Sequence, residues 1–552
     1  MATYNLHSLK LPVLTGTSLK IFTAAVENPV TRFALIGGLL ENGGIPKLRH
    51  ITLSENPTLY PLVDPVEDNH EKAVSFENGI PPEDFPYLTA HNYSQAYLSG
   101  TLTPTEAAER VLSSIAASEE SDPALRTFIA IKRDDVMAQA KASTERHRAK
   151  KTLGPLDGVP VAIKDEIDMS PYPTTVGTRF LGKDPAEDST VAARLRAAGA
   201  LLIGKTNMHE IGINPNGANA NFGAVRNPYQ TNCDSGGSSS GSAAAVAAGL
   251  VPIAMGADGG GSIRIPAALC GIVGLKPTFG RISERGAAPL CWSVAHLGPL
   301  TACVEDTALV YSIVAGPDEN EPNSLVQPPV TLEHWNQPDL KDIRLGIYKE
   351  WFEHANAEVV EACYRMVEQF KERGGQVIEI TIPELDEMRV AHATTILAEM
   401  ALCMRTYHKH QKEHAPAVRL SLVLGQVFTS MDYLQAQRMR TRAMKIFADV
   451  FEQVDVILTP ATALAAQPVP AGGYAGGWSD LGTDTEMMRF IFPGNLTGNP
   501  GIAFPVGYDR RGLPIGMQAI GRHWEEALLL RVAYNAEQIV KRLLPQRYYR
   551  NF

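Results

Sequence analysis

The sequence predicts an α/β fold: one large domain with a mixed, mostly parallel central sheet covered by helices on both faces. Two observations predict it: short apolar runs alternate with helical segments from about residue 157 onward, and no 20- to 50-residue self-similarity marks a repeat array. A third is composition. With 552 residues, 44% hydrophobic and 20% charged, the chain lies outside the low-hydrophobicity class that stays disordered.

Residues 1–85 carry scattered Pro and Asn, short apolar runs and an acidic stretch from Asp64 to Glu71, and read as an N-terminal extension to a catalytic domain at 86–552. Covering the sheet, lining a tunnel or joining two copies into a homodimer are the roles open to it. The first well-marked helix starts at Thr103-Pro104-Thr105-Glu106. Thr103 is an N-cap, Pro104 sits at the first helical position and Glu106 closes a capping box, with Ala108, Val111, Leu112 and Ile115 at helical spacing behind them.

Val159-Pro160-Val161-Ala162-Ile163 is a buried-strand run, Thr190 to Ala198 is helical and Gly199 ends it, and Ala200 to Ile203 is extended. The alternation returns in Ile343 to Tyr348, a helix through Val359, Cys363, Met366 and Phe370, then Gln376 to Ile380, and Val454 to Leu458. From about 463 to 515 the chain is rich in Gly and Pro and carries Tyr474, Trp478, Phe490 and Phe492. Long ordered loops are expected there.

Charge and cysteine usage narrow the function. The net charge of −10 argues against a nucleic-acid partner. The six cysteines form no C-x-x-C pair, so neither a disulfide framework nor a structural zinc site is indicated. Met1 to Gly16 lacks a basic start followed by an apolar core, and the apolar run Phe33 to Leu40 is too short to span a bilayer, so a cytoplasmic location and no membrane span are expected.

Two glycine clusters carry the chemistry. The first, Asp234-Ser235-Gly236-Gly237-Ser238-Ser239-Ser240-Gly241, precedes an alanine-rich helix. Apolar structure flanks it closely, unlike a linker, and it has no Lys to make a phosphate loop. The second, Gly256-Ala257-Asp258-Gly259-Gly260-Gly261-Ser262-Ile263-Arg264, can bring several backbone N–H groups to one point, as an oxyanion hole requires. No His lies in either cluster. A serine nucleophile there needs another base, and Lys164 at the end of an apolar strand can serve if burial disfavours its charge. Asp165 and Glu166 beside it would favour its charged form if they pointed inward, and both are expected to point away.

From Gly236 to Ala267 the sequence resembles the signature of the amidase signature family of serine hydrolases. Further similarity runs through Gly154 to Asp165, Gly204 to Met208, Cys270 to Thr278 and Asn495 to Pro500, covering about 90 to 545. The resemblance implies Ser262 as acyl-accepting nucleophile, Ser238 on a cis peptide bond as proton relay and Lys164 as base. The backbone of Gly259, Gly260, Gly261 and Ser262 would form the oxyanion hole, with Asp258, Ser239 and Arg264 in support. It implies hydrolysis of a small-molecule amide to acid plus ammonia or amine, without a cofactor. Loop composition at 208–219, 290–292 and 474–492 favours a small to medium neutral aliphatic or aromatic acyl group. The glutaminase subunit of a tRNA-dependent amidotransferase, and an esterase or N-substituted-amide hydrolase, are the alternatives.

Arg264 is expected to pair with Asp258, and Lys205, Lys276 and Cys270 to be structural. His209-Glu210 does not make a zinc motif, because position 213 is Ile, and no metal is expected.

Overall fold

The computed structural model describes residues 4–9, 11–63, 81–82, 85–182 and 184–552. Its strands are β1 (Leu14–Thr15), β2 (Phe128–Ala130), β3 (Pro160–Lys164), β4 (Leu201–Thr206), β5 (Ile253–Ala257), β6 (Val273–Lys276) and β7 (Leu297–Thr301). Then follow β8 (Arg344–Ile347), β9 (Gln376–Glu379), β10 (Val456–Pro460), β11 (Trp478–Ser479), β12 (Gly501–Tyr508) and β13 (Pro514–Gly521). β1 pairs with β11, and the other eleven form one mixed sheet in the order β2-β4-β3-β5-β7-β6-β12-β13-β10-β8-β9.

The helix-linked alternation gives parallel pairing where it was expected. β3 pairs in parallel with β4 across the helix Thr190–Ala197 and with β5, and β8 pairs in parallel with β9 across the helix Ala357–Glu372 and with β10. These four pairings lie on the two flanks. The other six are antiparallel, five of them filling the middle from β5 to β10. β12 and β13 account for part of this, since a turn at Asp509–Leu513 is too short for a parallel crossover. All of β3 and β5 are buried, as a strand covered on both faces must be.

Three helices occupy the extension, Gly16–Glu27, Pro29–Gly43 and Ile45–His50, and they pack on helices Leu385–Met404, Pro416–Val427 and Ser430–Phe451 rather than on the sheet. Val26 and Ile36 bury against Leu420 and Val423, and Arg49 forks onto Asp432 at 2.7 and 2.9 Å. The acidic stretch Asp64 to Glu71 lies outside the described residues. The expectation of loops over 463–515 is corrected: short helices Leu481–Met488 and Phe492–Thr497 and strand β12 lie within it. An Asp480 N-cap and Gly498 at φ +80° punctuate them, and their brevity hid their period. Among the described residues no helix is long and apolar enough to cross a membrane.

Three carboxyls meet at the start of the helix Val304–Val314. Burial pushes Glu305 up to about 8, and Asp306 and Glu537 up to about 7. A carboxyl held above its unfolded value favours the folded state while it keeps its proton, and that contribution is lost as pH rises through the folded value. Thermal melts should therefore show stability falling from pH 6 to pH 9, less steeply in Glu305→Gln; a melting temperature rising over that range would contradict the assignment.

Candidate active site

Lys164 closes β3, where the branched residues Val161 and Ile163 favour the extended chain. Lys164 is 1% exposed. Nζ donates to Ser238 Oγ at 2.9 Å and to the Ala257 carbonyl, at the end of neighbouring β5, at 3.2 Å. Glu166 Oε2 also lies 2.9 Å from Nζ. This corrects the expectation that both acids turn away. The chain turns as it leaves β3, with the Ile167 N–H donating to the Lys164 carbonyl, and this turn sets Glu166 beside Lys164 while Asp165 points to the other side. There Asp165 meets Lys205 at 3.5 Å and accepts the Gly177 N–H at 3.0 Å.

Ser238 follows a cis Gly237–Ser238 peptide bond. A Cβ on Gly237 would stand 2.2 Å from the Asn216 carbonyl, so only glycine lets the loop lie this close to its neighbour. The helix Ser240–Ala247 begins just beyond. Ser239 joins the two glycine clusters: its N–H donates to the Ser262 carbonyl and its hydroxyl to the Ala257 carbonyl, each at 3.2 Å.

The second cluster leaves β5 and turns into the short helix Arg264–Leu269. Asp258 organises it. Its carboxylate accepts the Gly261 N–H at 2.6 Å and the Ile263 N–H at 3.2 Å, and takes Arg264 Nε at 3.0 Å and Nη2 at 3.1 Å. Burial pushes this carboxyl up, but the Arg264 guanidinium outweighs burial and holds it well below the usual range. Arg264 reaches onward to Gln518 at 2.7 Å and Asn495 at 2.6 Å. The Gly261 N–H is thus engaged by Asp258. Among the described residues, the N–H groups of Gly259, Gly260 and Ser262 go to no protein acceptor, which leaves these three for a ligand oxygen.

Lys164, Glu166, Ser238, Gly259, Gly260 and Ser262 line one cavity with about 40 Å³ of open space, room for a few waters. Its far wall is apolar: Ile213, Leu290, Ile396, Met400 and Met488. Of the segments expected to shape it, 208–219 and 290–292 contribute Ile213 and Leu290, and 474–492 contributes Met488. Tyr474 instead stacks under Arg226 at 3.8 Å, and Trp478 packs on Ala218 and Ala224. Sequence reasoning missed Ile396 and Met400. They stand four apart, on one face of the helix Leu385–Met404.

The residues read as structural are all engaged or buried. Lys205 donates to Thr174 Oγ1 at 3.0 Å and Lys276 to the Pro277 carbonyl at 2.9 Å. Burial raises the Cys270 thiol far above its ordinary value and lowers the His209 imidazole to about 4.

Paired serines, a buried lysine and a turn of unclaimed N–H groups at the end of an α/β sheet are the equipment of an enzyme that hydrolyses amide C–N bonds. The family model described as Amidase matches residues 109–530, and the chain belongs to this amidase family. It is 35% identical to a fatty acid amide hydrolase of Arabidopsis thaliana, over 97% of this chain and 94% of that protein. It is 36% identical to a glutamyl-tRNA(Gln) amidotransferase subunit of Symbiobacterium thermophilum, over 82% of this chain and 97% of that one. Among solved structures, native peptide amidase from Stenotrophomonas maltophilia superposes with a TM-score of 0.71 at 26% identity, covering 85% of this chain and 99% of that one.

Proposed function

We propose that the chain cleaves neutral amides with aliphatic acyl groups through an acyl-enzyme on Ser262, with Ser238 as relay and Lys164 as base. The observation that carries this reading is the 2.9 Å bond from Lys164 Nζ to Ser238 Oγ, in the cavity that also holds Ser262. Ser262 Oγ attacks the carbonyl carbon, its proton passes to Ser238, and the Ser238 proton passes to Lys164. Glu166 Oε2, 2.9 Å from Nζ, holds the Lys164 side chain beside Ser238.

The N–H groups of Gly259, Gly260 and Ser262 hold the oxyanion. Collapse breaks the C–N bond as the relay returns a proton to the leaving nitrogen. Water then gives a proton to the same relay and attacks the acyl ester, releasing the acid and freeing Ser262.

The apolar wall and the likeness to fatty acid amide hydrolases support an aliphatic acyl group. The open space is too small for a long chain at rest, so Met400 and Met488, with their flexible thioethers, are the groups that yield. The test is ammonia release from straight-chain primary amides of increasing length, with benzamide and glutamine alongside. kcat/KM should climb by about fourfold per methylene over the first few carbons, as expected for about 0.8 kcal/mol per buried CH2. Preference for glutamine would favour the amidotransferase-like reading, and a flat series would refute apolar acyl recognition.

A further inference from the structure

We infer that His392 is a positioning residue for the oxyanion-binding turn, fixing the direction of the Gly260 N–H through the Gly259 carbonyl. The inference rests on the proposed role of that turn and names a residue that holds it in shape.

Each peptide plane from Asp258 to Ser262 is held by a hydrogen bond. The Asp258 carbonyl accepts Asn495 Nδ2 at 2.9 Å, the Gly261 N–H is taken by Asp258 Oδ1, and the Gly261 carbonyl accepts the Ile265 N–H at 2.7 Å. Among the described residues, the plane between Gly259 and Gly260 has one fastening, the 2.8 Å bond between His392 Nε2 and the Gly259 carbonyl. A carbonyl can only accept, so Nε2 carries the hydrogen and His392 is the donor. In a trans peptide the N–H points opposite to the C=O. The His392 bond therefore aims the Gly260 N–H away from the imidazole. Gly260 lines the cavity, and this N–H is one of the three without a protein acceptor among the described residues.

Glycine has no side chain to resist rotation, so three in a row need such ties. His392 is 1% exposed, and burial lowers its imidazole to about 4, which keeps it a neutral donor at neutral pH. It stands on the helix Leu385–Met404 one and two turns before Ile396 and Met400, so a single helix both lines the apolar wall and sets the turn.

The experiment compares kcat, KM, melting temperature and inhibition by an aliphatic trifluoromethyl ketone, whose adduct mimics the tetrahedral oxyanion, in the full chain and its variants. His392→Leu, with no side-chain N–H, should lose about 10- to 100-fold in kcat with KM within about twofold, a part of what loss of an oxyanion donor costs. Its ketone inhibition should weaken in parallel. His392→Gln, which keeps an N–H near the same reach, should recover most of the loss. If the Leu variant fails to fold, His392→Asn, whose amide stops short of Gly259, takes its place with the same expectation. Equal losses in the Gln and Leu variants that follow melting temperature, or an effect on KM alone, would overturn the inference. Ser262→Ala runs alongside: if it turns over like the parent, the site reading itself has failed, whereas an inert Ser262→Ala beside unaffected His392 variants would reject only the role of His392.

Discussion

Ser262→Ala should reduce turnover by about 10⁴-fold or more, in line with what removal of a serine nucleophile costs when it acts as part of a unit. The loss should fall on kcat. Ser262 is 8% exposed, and among the described residues its hydroxyl makes no bond on which the turn depends: its backbone carbonyl, not its side chain, accepts the Ser239 N–H. The melting temperature should accordingly stay near that of the parent. A variant that keeps its turnover would exclude Ser262 as nucleophile. One that loses both activity and fold would call for Ser262→Cys, a change of one atom.

Lys164→Met should lower turnover by at least about 10³-fold and, unlike Ser262→Ala, should also destabilise the chain. The substitution removes the amino group that sits between Ser238 Oγ, the Ala257 carbonyl and Glu166 Oε2, leaving a buried carboxylate without its partner. Breaking a buried pair from one side costs about 3–5 kcal/mol. Adding Glu166→Gln removes that unpaired charge. The double variant should therefore regain most of the lost stability and none of the activity, because the base is still missing. Urea denaturation and amide turnover on the same samples separate the two effects. Recovery of activity with stability would make Lys164 a structural residue.

How much of this was legible in the sequence depended on the length scale of the signal. The strand ending at Lys164 and the helix beginning after Thr103 were readable because burial pattern and capping chemistry are local. The meeting of Lys164 with Ser238 was readable through the motif that surrounds them. The direction of Glu166 was misjudged because it is set by the turn that follows β3, closed by the Ile167 N–H on the Lys164 carbonyl, and a strand pattern does not show where such a turn begins. The engagement of the Gly261 N–H by Asp258 was not legible, since three glycines admit many backbone paths and only the folded turn selects one.

The antiparallel middle of the sheet also lay beyond local reading. Apolar runs announce strands but not the neighbours they choose, and the helix-linked alternation that suggests parallel pairing holds only on the flanks. Ile396, Met400 and His392 sit on a 20-residue helix that is buried around much of its circumference, so no narrow apolar stripe pointed to the face that meets the cavity.

The most direct test is to react the full chain with an alkyl fluorophosphonate, locate the adduct by peptide mass spectrometry and follow amide turnover in the same sample. The proposed mechanism predicts one adduct, on Ser262, forming in step with loss of activity, absent in Ser262→Ala and much slower in Lys164→Met. Complete inactivation with the phosphonyl group on another residue, or an adduct on Ser262 that leaves turnover intact, would contradict it.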